Sequence, residues 1–287
     1  MGIQTSGRKL EQLRFHHTFV EPIPEEVVKE LAAFQNPDGG FGHGLEPDFR
    51  LPDSSPMATT IGLQIAIELE LPSSHPMVAA ALDYLRSTYD AEIRGWAATS
   101  SAVNDYPHAP WWHRVPDAQL DAAALRLNPS AEIVGFFLRW SDDDLDGWVQ
   151  DLLDDIDTLE PHQLLCCLRL AQSPGLSDEH RALLAGHIER AAATAIETDP
   201  SKWDGYCIKP LSAIPDPQAM LAPFFANALH RQLDYELSRQ SDESGLWVPH
   251  WSWGPNDPES WPEARDDWSG TLTLELLRSF RAFGRLA

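Results

Sequence analysis

Basic residues are scarce in this chain. Across 287 residues, 21 lysines and arginines face 44 aspartates and glutamates, a formal net charge of −23. Nucleic acids and anionic membrane surfaces are held by neutralising phosphates with Lys and Arg, so neither is an expected partner. A surplus of acids of this size keeps a surface well solvated. Cysteine is scarce too. Cys166, Cys167 and Cys207 are odd in number, two are adjacent, and none forms a CxxC pair. That excludes a disulfide framework and a CxxC zinc site. No apolar run reaches bilayer-spanning length, so no membrane span is expected. Residues 1–10 lack the apolar segment of a secretory signal, and a cytoplasmic location is expected. No Pro/Gly/Ser-rich linker divides the chain, and 43% hydrophobic residues suffice for one large core, so residues 1–287 are expected to form a single domain.

What is present is helical periodicity, and the chain reads as all-α. Leu10, Leu13, Phe15 and Phe19 mark a first helix, with His16 and His17 as packing residues because no third ligand stands near them. Pro24-Glu25-Glu26 opens a second, with Val27, Val28, Leu31 and Phe34 on its apolar face. Asp53-Ser54-Ser55-Pro56 opens a third that runs to Leu69 and is apolar nearly all round. Its polar exceptions Thr60, Gln64 and Glu68 lie on one stripe. Further helices are expected at 75–89, 131–140, 160–172, 177–196 and 217–240, with irregular segments at 106–116 and 203–211. Asp142, Asp143 and Asp146 spell DDxxD, which in some enzymes holds magnesium on a diphosphate. Here Ser141 reads as an N-cap and the acids as a first helical turn, continued as a solvated face by Asp151, Asp154, Asp155 and Asp157, so no metal is expected. Cys207 has Lys209 nearby, the kind of neighbour that lowers a thiol pKa, but reads as a plain half-buried cysteine.

The segment from Gln35 to Arg50 stands apart. Four glycines in six residues, framed by Pro37 and Pro47, make a tight ordered turn between two helices. His43, Glu46, Asp48 and Arg50 fall together on it, and residues of a site favour loops held by a rigid scaffold.

The pattern recurs. Leu31 to Gln35 precedes Asp38-Gly39-Gly40-Phe41; Leu233 to Gln240 precedes Glu243-Ser244-Gly245-Leu246-Trp247; Leu82 to Leu85 precedes Gly95-Trp96 more loosely. Each unit is a helix, a glycine turn with an aromatic, then a more apolar helix. In the last unit this second helix is Thr271 to Arg278 and carries a stripe of Asp267, Thr271, Glu275 and Arg278. Recurrent helix pairs imply stacked hairpins, and matching first and last units fit ring closure: a small or incomplete α/α toroid with a cavity at its axis.

At Gln35, Asp38, Gly39, Gly40 and Phe41, and partly at Gln240, Gly245 and Trp247, the chain resembles the terpenoid cyclase and protein prenyltransferase toroid superfamily. It is also similar to uncharacterised bacterial proteins with this repeat, through the run from Phe34 to Gln64, Tyr206 to Leu211, and Trp251 to Gly254 with Trp268 to Leu274. The resemblance implies an enzyme acting on an isoprenoid or other apolar small molecule in the axial cavity. A carboxylic acid in a dry pocket has a raised pKa and can serve as a general acid. Asp48 and Glu46 are the candidates, with His43 as proton relay. Arg50, Trp111, Trp112, Tyr206, Lys209, Trp251 and Trp253 are the candidate substrate contacts; aromatic faces attract developing cations. The DxDD acid of type II cyclases is absent. Asp204 and Cys207 stand three apart, where the zinc pair of protein prenyltransferases stands two apart, so neither metal nor other cofactor is expected. Two alternatives remain open. One is an α/α-barrel glycan hydrolase or lyase, with Trp247, Trp251, Trp253 and Trp261 near Asp257, Glu259 and Glu263. The other is a non-catalytic binding scaffold.

Overall fold

Proline begins five of the helices: Pro24, Pro56, Pro76, Pro161 and Pro210 each occupy a first helical position, where a fixed φ and a missing N–H cost nothing. The computed structural model describes residues 7–114, 127–154, 156, 158–241, 243–255 and 257–286. Among these residues there are eleven α-helices and no β-strand. The fold is all-α.

The described chain falls into two compact units. One contains α1 (Lys9–Phe19), α2 (Pro24–Leu31) and everything from Ile196 onward: α9 (Pro210–Ala213), α10 (Ala222–Arg239) and α11 (Trp261–Ala282). The other runs from Ala32 to Ala195 and holds α3 (Pro56–Glu68), α4 (Pro76–Ser87), α5 (Ser130–Trp140), α6 (Asp146–Asp154), α7 (Pro161–Ala171) and α8 (Asp178–Ala195). The chain passes between them at Leu31–Ala32 and Ala195–Ile196, neither of which carries the Pro/Gly/Ser-rich composition of a linker.

In the continuous unit, α3 packs on α4 and α5, α5 on α7, and α7 on α8. The near-complete apolarity of α3 matches its burial: Ala58, Thr59, Leu63, Ile65 and Ala66 are all inside. Ser55 caps it by accepting the Ala58 N–H at 3.1 Å. At α7, Gln163 accepts the Glu160 N–H in the reciprocal arrangement that ties down a helix start. In the other unit α1 packs on α2 and α11, where Leu246 and Leu274 meet Phe15 and Phe19. Arg278 and Arg281 of α11 both donate to Thr18 of α1, to its hydroxyl and its carbonyl. Glu11 of α1 is fully buried and accepts from Nε and Nη2 of Arg8, each at 2.8 Å.

Three expectations need correction. Ser141 does not cap a helix start. Its N–H bonds the Phe137 carbonyl and closes α5, and α6 begins only at Asp146. The 217–240 helix begins at Ala222, after the short α9, and the last helix runs the full length of Trp261–Ala282. Asp155, Asp157, residues 115–116 of the aromatic loop and residues 1–6 of the N-terminal reading lie outside the described residues.

Candidate functional site

The glycine turn is locked by its polar side chains. Gln35 donates to the Gly39 carbonyl at 2.9 Å and to the Met77 carbonyl at 3.0 Å. Asn36 reaches the Pro52 carbonyl and Ser54, each at 3.0 Å, and Asp38 accepts from the Gly40 N–H and the Ser54 hydroxyl. Gly39 has φ +93°, and a Cβ there would come within 2.2 Å of the Ala80 carbonyl oxygen, so no other residue fits. Phe41 is fully buried, and its N–H bonds the Thr59 hydroxyl on α3 at 3.0 Å.

Past Phe41 the turn carries its acids inward. Glu46 is 7% exposed and Asp48 5%. The 48–50 backbone is tied to the aromatic loop: Ala109 N–H to the Asp48 carbonyl and Arg50 N–H to the Pro107 carbonyl, both 2.8 Å, with a bridge from Phe49 to His108. Trp112 stands edge-on to Phe49 at 5.4 Å, and its indole N–H is buried without a hydrogen-bond partner among the described residues. Trp111 is largely exposed. Arg50 lies against Gly44, where a Cβ would meet its Nη1 at 2.9 Å. His43 turns the other way: it is exposed, and its Nε2 pairs with the Asn36 side chain at 2.8 Å.

The scheme repeats where the sequence repeats. Gln240 donates to the Gly245 carbonyl at 2.9 Å, and the Trp247 N–H bonds the Thr273 hydroxyl at 3.0 Å. At Trp96 the N–H bonds the Ser130 hydroxyl, again at 3.0 Å. Both tryptophans add an indole bond to the carbonyl eleven residues earlier, Leu85 for Trp96 and Glu236 for Trp247, each at 2.7 Å.

The remaining candidates lie in the unit that holds α10. Lys209 directly precedes α9 and is 7% exposed. Its Nζ is 3.5 Å from Glu236 Oε1 and 5.3 Å from the centre of the Tyr235 ring. Gln232 already donates to the same Glu236 oxygen at 3.2 Å. Tyr235 donates to Asp204 at 2.7 Å and accepts from Arg239 at 2.9 Å. Burial, with Arg239 adding to it, lowers the Lys209 amine below its ordinary value, although Glu236 opposes the shift. Burial lowers His250 to about 4, helped by the charges of Lys209 and Arg239. One ring nitrogen of His250 is committed to the Gly205 backbone, and Nε2 is buried with no partner among the described residues. Trp251 stands edge-on to His250 at 5.1 Å and to Trp268 at 5.3 Å. Tyr206 is 70% exposed. Burial raises the Cys207 thiol despite Lys209, so it is not an activated thiolate.

Trp253 is fully buried against Trp261, and Trp247 is 4% exposed. Of the acids beside them, Glu259 and Glu263 are exposed and Asp257 accepts the Ser260 N–H. Sequence reading missed one polar centre. Gln64, from the α3 stripe, donates to buried Glu132 at 2.7 Å, and Arg169 reaches the other oxygen at 3.0 Å. Burial raises the Glu132 carboxyl and outweighs both partners. In the DDxxD stretch Asp143 is engaged by Arg86 at 3.0 Å. Among the described residues no three His, Cys, Asp or Glu side chains converge as a metal site, and no helix is long and apolar enough to cross a membrane.

No protein-family model, curated protein or solved structure matches this chain. Any reading of what it does therefore rests on its own residues and geometry.

Proposed function

We propose that this protein is an enzyme on an α/α-toroid scaffold that acts on an isoprenoid or similarly apolar small molecule, with Glu46 or Asp48 as the general acid. The observation that carries the reading is the burial of both carboxyls, two residues apart, on a loop locked on one side by Gln35, Asn36 and Asp38 and on the other by residues 107–109. Fixed acids away from bulk water, beside an aromatic pair, suit protonation of an apolar substrate. Trp112 and Phe49 supply that pair. The exposed acids around Trp253 and Trp261 lend less support to paired-acid glycan chemistry.

The test is turnover of a panel of isoprenyl diphosphates and soluble glycans, followed by mass spectrometry, with circular dichroism checking that each variant stays folded. The expected result is turnover in the isoprenoid arm that falls by about a hundredfold or more in Glu46→Gln or Asp48→Asn. No turnover in that arm, or turnover that neither substitution changes, overturns the proposal. Turnover in the glycan arm alone overturns it in favour of carbohydrate chemistry.

A further inference from the structure

We propose that Lys209 is a carbonyl-capturing amine, whose Nζ, beside the Tyr235 ring, forms an imine with an apolar, aromatic aldehyde or ketone. The inference is independent of Glu46 and Asp48. It starts from how weakly a buried ammonium is held. A lysine nitrogen offers three donors, and charge-assisted bonds to carboxylates close to about 2.7–2.9 Å. Lys209 has one hydrogen-bond partner among the described residues, Glu236 at 3.5 Å, on an oxygen that Gln232 also uses. Its other close neighbour is the face of Tyr235, which attracts a cation but accepts no conventional hydrogen bond. This is an amine stored in a dry place without being pinned there.

The amine is also near the surface. The hydroxyl of Tyr235, the ring beside Nζ, bonds the exposed Asp204, and three residues before Lys209 stands the exposed Tyr206. The chain has only four lysines, and Lys9, Lys29 and Lys202 are all exposed. A desolvated amine spends more of its time uncharged, which is the nucleophilic form. The depressed basicity of Lys209 agrees with this.

The step balances without an oxidant or reductant. The Nζ lone pair adds to the carbonyl carbon, and the C=O π pair moves to oxygen. A proton passes from nitrogen to that oxygen, giving a carbinolamine. The hydroxyl then leaves with the second nitrogen proton as water while the C=N bond forms. A structural Lys209–Glu236 ion pair would do none of this.

The full chain is incubated at neutral pH with benzaldehyde and cyanoborohydride, which reduces an imine to a stable benzylamine, and all four lysines are mapped by mass spectrometry. The expected result is labelling of Lys209 about tenfold or more faster than of the exposed lysines, and loss of that preference in urea. Lys209→Arg, which keeps the charge opposite Glu236, removes the fast site. Labelling of Lys209 no faster than of Lys9, Lys29 and Lys202 in the folded protein overturns the proposal.

Discussion

The turns at 36–50 and 241–254 share one frame and differ in what they hang on it. In both, a glutamine donates to a glycine carbonyl, and the N–H of an aromatic residue bonds a threonine hydroxyl on the following helix. The first adds Asn36, Asp38 and Ser54 as a second lock and then buries two acids. The second has an indole bond in place of that lock and is followed by His250 edge-on to Trp251. The backbone frame is thus the repeated element, and the side chains after the aromatic are free to carry different chemistry.

The most damaging way to break the comparison is Gly39→Ala. The left-handed φ and the close Ala80 carbonyl penalise it together, and urea unfolding should show a loss of about 3–4 kcal/mol. A loss under about 1 kcal/mol would mean that the turn relaxes freely. The matched pair Thr59→Val and Thr273→Val sharpens it. Each leaves a buried backbone N–H unsatisfied, so each should cost about 1–3 kcal/mol, and similar costs are expected if the two turns are equivalent. A large cost at Thr59 with none at Thr273 would dissolve the equivalence. A pH-dependent effect belongs to the segment after the second turn. His250 falls from an ordinary 6.5 to about 4, so between those pH values the unfolded chain holds a proton that the folded one does not. Stability should therefore decline as pH drops from about 6.5 to about 4 and level off below, and His250→Phe should remove that part of the acid limb. NMR titration of the imidazole checks the same point; protonation near pH 6.5 would contradict the burial given to His250.

Much of the fold was legible because it depends on local signals. Prolines at helix starts, a 3.6-residue apolar period and clustered glycines each act over a few residues. The hydroxyl anchors were not legible, because Thr59, Ser130 and Thr273 follow their aromatic partners by 18, 34 and 26 residues and no fixed spacing marks them. Gln35 was visible as part of a motif, but its second bond crosses 42 residues to Met77. Ser141 misled because a serine followed by acids suits a helix start, while the end of α5 used the same residue first. For the site, the sequence singled out Glu46, Asp48 and Lys209, all of which prove buried. It could not foresee that His43 faces Asn36, or that Glu236, 27 residues on, sits opposite Lys209. Nor could it find Glu132, whose partners lie on α3 and α7.

The unit that holds Lys209 is split in the chain, with α1 and α2 at one end and α9 to α11 at the other. On the ribosome α1 emerges well before α11, so the surface that Thr18 offers to Arg278 must wait through the translation of 260 residues. The stretch from Ala32 to Ala195 has no such delay and can gather its own helices while the early pair is still unsatisfied. A nascent chain stalled before α11 would hold a finished glycine turn at Gly39 and an α1 covered by α2 alone.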